Sequence, residues 1–238
     1  MRESVHKFRS NHLQNERSVW IGEPNDRRGT RNLTIFLDAE LYRDRVGAMA
    51  VIGELQGVIA DSWFVFVSME SAESRWRECP CHPPFAGFIT EELLPWLETL
   101  YEDLKLTRQR VLVGLSYTGL AAAFVAKEHP GAFQKVISQS GSFWSNDCWL
   151  VEQFRSLPRR IPTEFYLDVG TREIHENVRH REDVLQVMSQ IEGVRRFRDV
   201  LLGQGYAVKH VEFEGGHDFE AWRKTLPAAL KWALPLQP

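Results

Sequence analysis

Val111-Leu-Val-Gly114-Leu-Ser116-Tyr-Thr118-Gly119-Leu-Ala-Ala-Ala-Phe-Val125 reads as an apolar strand, a short turn holding one serine, and a helix whose start is apolar nearly all round. A Gly-x-Ser by itself carries little information, but its context here does. A nucleophile elbow needs a sharp turn that lifts the hydroxyl above the sheet, with small neighbours so that strand and helix pack closely. Gly114 meets that need on the strand side. On the helix side Thr118 stands two residues after the serine, where the Gly-x-Ser-x-Gly pattern has glycine, and glycine follows one place later as Gly119. The competing reading of Ser116 is a simple cap on the following helix, a common role for serine.

Outward from this stretch, runs rich in Val, Ile and Phe predict strands over Ser18–Gly22, Leu33–Leu37, Trp63–Ser68, Arg110–Gly114, Lys135–Ser140, Glu164–Gly170 and Val208–Phe213. Helical patterns fall over Thr90–Leu104, Gly119–Glu128, Glu192–Leu202 and Glu220–Trp232, and Arg155–Arg160 reads as a loop. Alternation of strand and helix from about residue 60 onward implies crossover units, hence a mostly parallel central sheet with helices on both faces. The first strands show no helices between them and are expected to form an antiparallel edge. No repeat, linker or low-complexity tract divides the chain, so one α/β domain over residues 1–238 is the simplest organisation.

A serine hydroxyl is a weak nucleophile near neutral pH and needs a base that is itself oriented by a third group. Two loops after later strands can supply them. Gly215-Gly216-His217-Asp218 follows the last predicted strand and offers His217, 101 residues after the serine. Flexible glycines let such a loop swing an imidazole over the sheet edge. Gly170-Thr-Arg-Glu173 follows the sixth strand and offers Glu173, 57 residues after the serine. Asp168, inside Tyr166-Leu-Asp168-Val-Gly170, is the alternative acid.

The composition narrows the field. The chain carries 29 basic and 32 acidic side chains, with no basic stripe, which argues against a nucleic-acid partner. No apolar run approaches the length of a membrane helix, and the charged start Met1–Ser10 lacks the apolar core of a secretory signal, so a cytoplasmic location is expected. Cys79, Cys81 and Cys148 cannot all pair and have no zinc-ligand spacing, so neither a disulfide framework nor a metal site is expected. Eight tryptophans stand out in an otherwise ordinary composition of 43% hydrophobic residues.

With these loops in view the chain resembles the putative-esterase branch of the α/β hydrolases, and most of all the catalytic domain of enterochelin (ferric enterobactin) esterases. More distant likeness extends to esterase D (S-formylglutathione hydrolase) and feruloyl esterases. The shared segments are Leu37-Asp38-Ala-Glu40, Arg75-x-x-Glu78-x-Pro80-Cys81, Glu92-Leu-Leu-Pro95, Gly114-x-Ser116, Ser138-Gln-Ser-Gly-Ser142-Phe-Trp144, Gly170-x-Arg172-Glu173 and Gly215-Gly-His217-Asp218 with Trp222-Arg223. The resemblance implies an α/β-hydrolase fold. It also implies Ser116 as nucleophile, His217 as base, Glu173 as acid, and the backbone N–H groups of Tyr117 and Glu40 as an oxyanion hole. No cofactor is implied.

The expected reaction is hydrolysis of a carboxylic ester through an acyl-enzyme, on a siderophore or another small aryl or acyl ester. Two alternatives stand beside it: a non-catalytic scaffold, if Thr118 spoils the elbow, and an acyltransferase using the same residues. Trp76, Trp144 and Trp222, with Arg75 and Arg172, are the expected substrate-binding residues. Trp20, Trp63, Trp96 and Trp232 fall on predicted elements and are expected to pack the core.

Overall fold

The computed structural model describes residues 1–27 and 29–236. Among them ten strands form: β1 (Arg2–Ser10), β2 (Asn15–Glu23), β3 (Asn32–Leu37), β4 (Trp63–Val67), β5 (Gln109–Leu115), β6 (Lys135–Gln139), β7 (Glu164–Gly170), β8 (Val178–Arg181), β9 (Val184–Gln186) and β10 (Val208–Phe213). The α-helices are α1 (Ala48–Glu54), α2 (Ala72–Glu78), α3 (Pro83–Gly87), α4 (Leu94–Leu100), α5 (Tyr117–Glu128), α6 (Ser145–Arg155), α7 (Gln190–Gly203) and α8 (Phe219–Ala233).

Eight strands make one sheet in the order β1-β2-β4-β3-β5-β6-β7-β10. β1 pairs antiparallel with β2, and β2 antiparallel with β4. From β4 across to β10 every pairing is parallel. The alternation of side chains along a strand builds two cores. On β5, Leu112 joins a cluster with α5 and α7, whereas Val111 and Val113 join the opposite cluster with α1 and α8. α5 is buried over almost its whole circumference, since α2 and α3 cover the side turned away from the sheet.

The expected antiparallel edge needs correcting in one respect. β3 is no edge strand; it lies between β4 and β5 and runs parallel to both. The crossover that permits this is a π-helical turn, Glu40–Val46, followed by α1, a helix of seven residues. Two turns are too short for a helical period to be read with assurance. The predicted helix over Thr90–Leu104 is three pieces: a π-helical turn over Phe88–Leu93, α4, and a 3-10 turn over Glu102–Leu106. Pro95 near the start of α4 has no N–H to continue the preceding turn, and Tyr101 is extended. β1 is not among the predicted strands; its exposed residues Glu3, Val5, Lys7 and Arg9 alternate with half-buried ones, as an edge strand's do.

Candidate active site

The end of β5 delivers Ser116 to the carboxyl edge of the sheet. Ser116 itself has φ 51° and ψ −121°, a strained conformation for a residue with a Cβ, and its side chain caps no helical N–H. The elbow geometry therefore prevails over the capping alternative. Neighbouring bonds hold the strain: Ser116 N–H donates to the Gln139 carbonyl at 2.8 Å, and the Ser116 carbonyl accepts from Ser142 N–H at 3.0 Å.

Gly114 and Gly119 explain why the turn can be so tight. A Cβ on Gly114 would lie 2.0 Å from the Thr118 carbonyl oxygen, and one on Gly119 would lie 2.6 Å from Ser138 Oγ on the adjacent strand. Thr118, the departure from the usual pattern, fits inside the turn. It is fully buried, its Oγ1 donates to the Leu115 carbonyl at 2.8 Å, and the same oxygen accepts from Leu115 N–H at 3.0 Å.

Two later loops meet above this turn. Thr171 N–H donates to the Phe213 carbonyl at 2.8 Å and Arg172 N–H to the Gly215 carbonyl at 2.9 Å, which ties the loop after β7 to the loop after β10. His217 Nε2 consequently lies 3.0 Å from Ser116 Oγ, and His217 Nδ1 lies 2.6 Å from Glu173 Oε2. A carboxylate only accepts, so Nδ1 carries the proton and Nε2 is left as the acceptor for the serine hydroxyl. Asp218 is used differently: its carboxylate caps α8 by accepting from Ala221 N–H at 2.9 Å.

Glu173 is buried, and its other oxygen is also engaged. Oε1 accepts from Gly170 N–H at 2.7 Å and from Ser140 Oγ at 2.6 Å, and Ser140 Oγ in turn accepts from Trp222 Nε1 at 3.0 Å. Between the two candidate acids, Glu173 is the one that touches the histidine. Asp168 lies fully buried within β7, where it accepts from Ser140 N–H at 3.2 Å, and burial pushes its carboxyl up to about 7.

Ser116 stands where two cavities meet. The first, about 360 Å³, is walled by Trp76, Tyr117, Trp144 and His180, with Arg75 and His217 at its edge. The second, about 560 Å³, has Asp38, Glu40, Met69 and Phe219 in its wall. Arg75 Nε donates to Asp38 Oδ2 at 2.5 Å, so this arginine is anchored at the junction rather than free. Burial pushes the Asp38 carboxyl above its ordinary value, against the pull of Arg75. Tyr117 opens α5, so its N–H has no partner within the helix, and burial pushes its phenol up to about 12. Glu40 begins the π-helical turn after β3 and accepts from Met69 N–H at 3.0 Å through its side chain.

The other expected binding residues divide. Trp76 and Trp144 line the first cavity. Trp222 borders the second but is 3% exposed and packs edge-on beneath His217, at 4.8 Å between ring centroids. Arg172 is exposed and belongs to the wall of neither cavity. Arg77, two residues after Arg75 on α2, pairs with Glu78 at 3.0 Å. Cys79 and Cys81 are thiols that burial pushes up to about 12. Among the described residues no group of three or more His, Cys, Asp or Glu side chains could hold a metal ion, and no helix is long and apolar enough to cross a membrane.

Sequence reasoning missed Ser140 as the hub behind Glu173, and His180 altogether. Ser140 follows the strand β6, at the carboxyl edge where parallel sheets bind ligands, and that position was a usable signal. Nothing in the linear pattern around His180 pointed to the cavity.

Comparison with known proteins agrees with this architecture. A family model described as "Putative esterase" matches residues 10–233. The iron(III) enterobactin esterase of Dickeya dadantii (strain 3937) is 27% identical over 97% of this chain and 54% of its own length. The enterobactin esterase of Shigella flexneri, solved in the presence of 2,3-dihydroxy-N-benzoyl-glycine, superposes with a TM-score of 0.80 at 22% identity, covering 97% of this chain and 58% of that one. A ferulic acid esterase superposes with a TM-score of 0.74 at 14% identity and covers 98% of both chains. The chain thus has the α/β-hydrolase fold, and it spans about half the length of the enterobactin esterases it matches.

Proposed function

The chain belongs to the "Putative esterase" family, and on that premise we propose that it is a serine hydrolase cleaving a small carboxylic ester through an acyl-enzyme. The observation that carries the reading is the unbroken chain of contacts from Ser116 Oγ to His217 Nε2 at 3.0 Å and from His217 Nδ1 to Glu173 Oε2 at 2.6 Å, on the wall of a cavity. In this reading Ser116 Oγ attacks the ester carbonyl carbon while His217 Nε2 takes its proton. The resulting imidazolium is stabilised by Glu173 and returns the proton to the departing alkoxide oxygen. Water then attacks the acyl-enzyme with His217 again as base, which frees the carboxylic acid and restores the serine.

The N–H groups of Tyr117 and Glu40 are the proposed donors to the oxyanion of each tetrahedral intermediate. Fixed donors of this kind are worth about 3 kcal/mol each where they have been removed from other enzymes. The proposed substrates are small aryl or acyl esters, the siderophore named for the Dickeya and Shigella relatives among them. The aromatic wall of Trp76, Tyr117 and Trp144 supports a ring-bearing ester. The test is turnover of a p-nitrophenyl short-chain ester by the wild type and by Ser116→Ala. The proposal expects activity that disappears in the variant while the fold survives; equal activity in both would remove Ser116 from the mechanism.

A further inference from the structure

The hairpin formed by β8 and β9 lies outside the main sheet and touches the core through Val184, which is half-buried against it. It pairs only with itself, in the segment between β7 and α7. It nevertheless supplies Val178, His180 and Gln186 to the wall of the cavity that holds Ser116. The His180 ring lies parallel to Trp144, with centroids 5.3 Å apart and planes 8° from each other, and it approaches Trp76 at 5.9 Å. Trp76 and Trp144 meet the Tyr117 ring at 4.9 and 5.6 Å. Four rings therefore enclose one end of the cavity. Trp76 and Tyr117 stand on α2 and α5, and Trp144 immediately precedes α6; the fourth ring, itself exposed, stands on the two-stranded ribbon.

Such a ribbon is marginal alone and takes its position from what it docks against. Val184 seats the ribbon on the core, and two polar contacts place its ring and its tip. His180 Nε2 meets Gln186 Oε1 across the hairpin at 2.8 Å, which fixes the ring's tilt. Arg181 forms an ion pair with Glu73 on α2 at 2.7 Å, and its guanidinium covers the Trp76 ring at 5.8 Å.

We propose that His180 is a specificity-determining residue: its ring completes a slot that selects esters carrying a planar ring, and the Arg181–Glu73 ion pair sets the slot's width. The proposal rests on the esterase reading above. One stacked ring pair confers roughly a two- to tenfold preference. A short aliphatic ester has no ring to stack and gains none of it.

The experiment measures kcat/KM of the full chain on ethyl benzoate and phenyl acetate, each relative to ethyl acetate. In His180→Ala at least one of these ratios is expected to fall about fivefold, as loss of a stacked pair implies. His180→Phe, which keeps a ring at that position, should hold the same ratio within about twofold. Arg181→Glu should lower it, and the exchange Arg181→Glu/Glu73→Arg should restore it. Ratios that do not move in His180→Ala, or that fall equally in His180→Phe, overturn the assignment. Absence of any Ser116-dependent turnover of the three esters in the wild type overturns the hydrolase reading itself, and the slot with it. Turnover with unaltered ratios removes only the role of His180.

Discussion

Replacing Glu173 by glutamine tests the orientation of His217 with almost no change in volume. Glu173 receives three donors and offers none: Gly170 N–H and Ser140 Oγ on one oxygen, and His217 Nδ1 on the other. In Glu173→Gln the amide oxygen must take the position with two donors, since an amide NH2 there would face two protons. The NH2 group is thereby forced toward His217 Nδ1, which must turn acceptor. Its proton moves to Nε2, and Nε2 then faces Ser116 as a donor, unable to accept the hydroxyl proton. A tautomer error of this kind is worth about 10⁴-fold in kcat in a serine protease, or about 5 kcal/mol of barrier. We expect a loss of that order on a p-nitrophenyl ester, with KM changed little and urea unfolding within about 1 kcal/mol of the wild type. A loss below tenfold would refute the reasoning, because it would mean that Glu173 does not dictate which nitrogen faces the serine.

Thr118→Ala deletes both hydrogen bonds to Leu115 and leaves two backbone groups unpaired in a buried turn, so urea denaturation should show a destabilisation of about 1–3 kcal/mol; an unchanged midpoint would mean that the hydroxyl does not brace the elbow. Asp168 has a pH signature of opposite sign to that of an ion-paired carboxylate. Burial raises its pKa to about 7, so between about pH 4 and pH 7 the folded chain holds a proton that the unfolded chain has released, and this group's contribution to stability falls as pH rises through that window. Asp168→Asn should flatten that decline in urea melts taken from pH 4.5 to 8, and a decline as steep as the wild type's would assign it to other groups. Arg17 and Glu78 are a fully buried ion pair, and Arg17→Met should cost about 3 kcal/mol, the low end for breaking such a pair, because Arg77 still meets Glu78 Oε1 while Oε2 loses its buried partner; a loss under about 1 kcal/mol would show that Arg77 and Asn15 satisfy the carboxylate.

Much of the site was legible before the fold was seen, because sharp turns leave marks in sequence. Gly114 before Ser116, the Gly215-Gly216 pair before His217, and Gly170 before Glu173 each announce a place where the backbone bends at a strand's end. The side-chain directions did not follow from order along the chain. Arg172 and Glu173 are adjacent, yet the first is exposed outside both cavities and the second is buried against His217, since one residue's step in a turn reverses where the side chain points. Trp222, expected in the pocket wall, borders the second cavity, but the helix capped by Asp218 carries most of its ring beneath His217, where its N–H donates to Ser140 Oγ. β1, α1 and the β8–β9 hairpin escaped notice because each is short or charged and draws its stability from the elements it packs on, which is a tertiary matter that local pattern does not carry.

The central claim is that Ser116 is a nucleophile activated by His217. Incubation of the intact protein with a fluorophosphonate ester, followed by mass spectrometry of the peptide Val111–Lys127, tests it most directly. The account predicts one phosphonyl adduct, located on Ser116, and a rate of labelling that drops by orders of magnitude in His217→Ala. Failure to label, or an adduct on another residue with Ser116 unmodified, would contradict it.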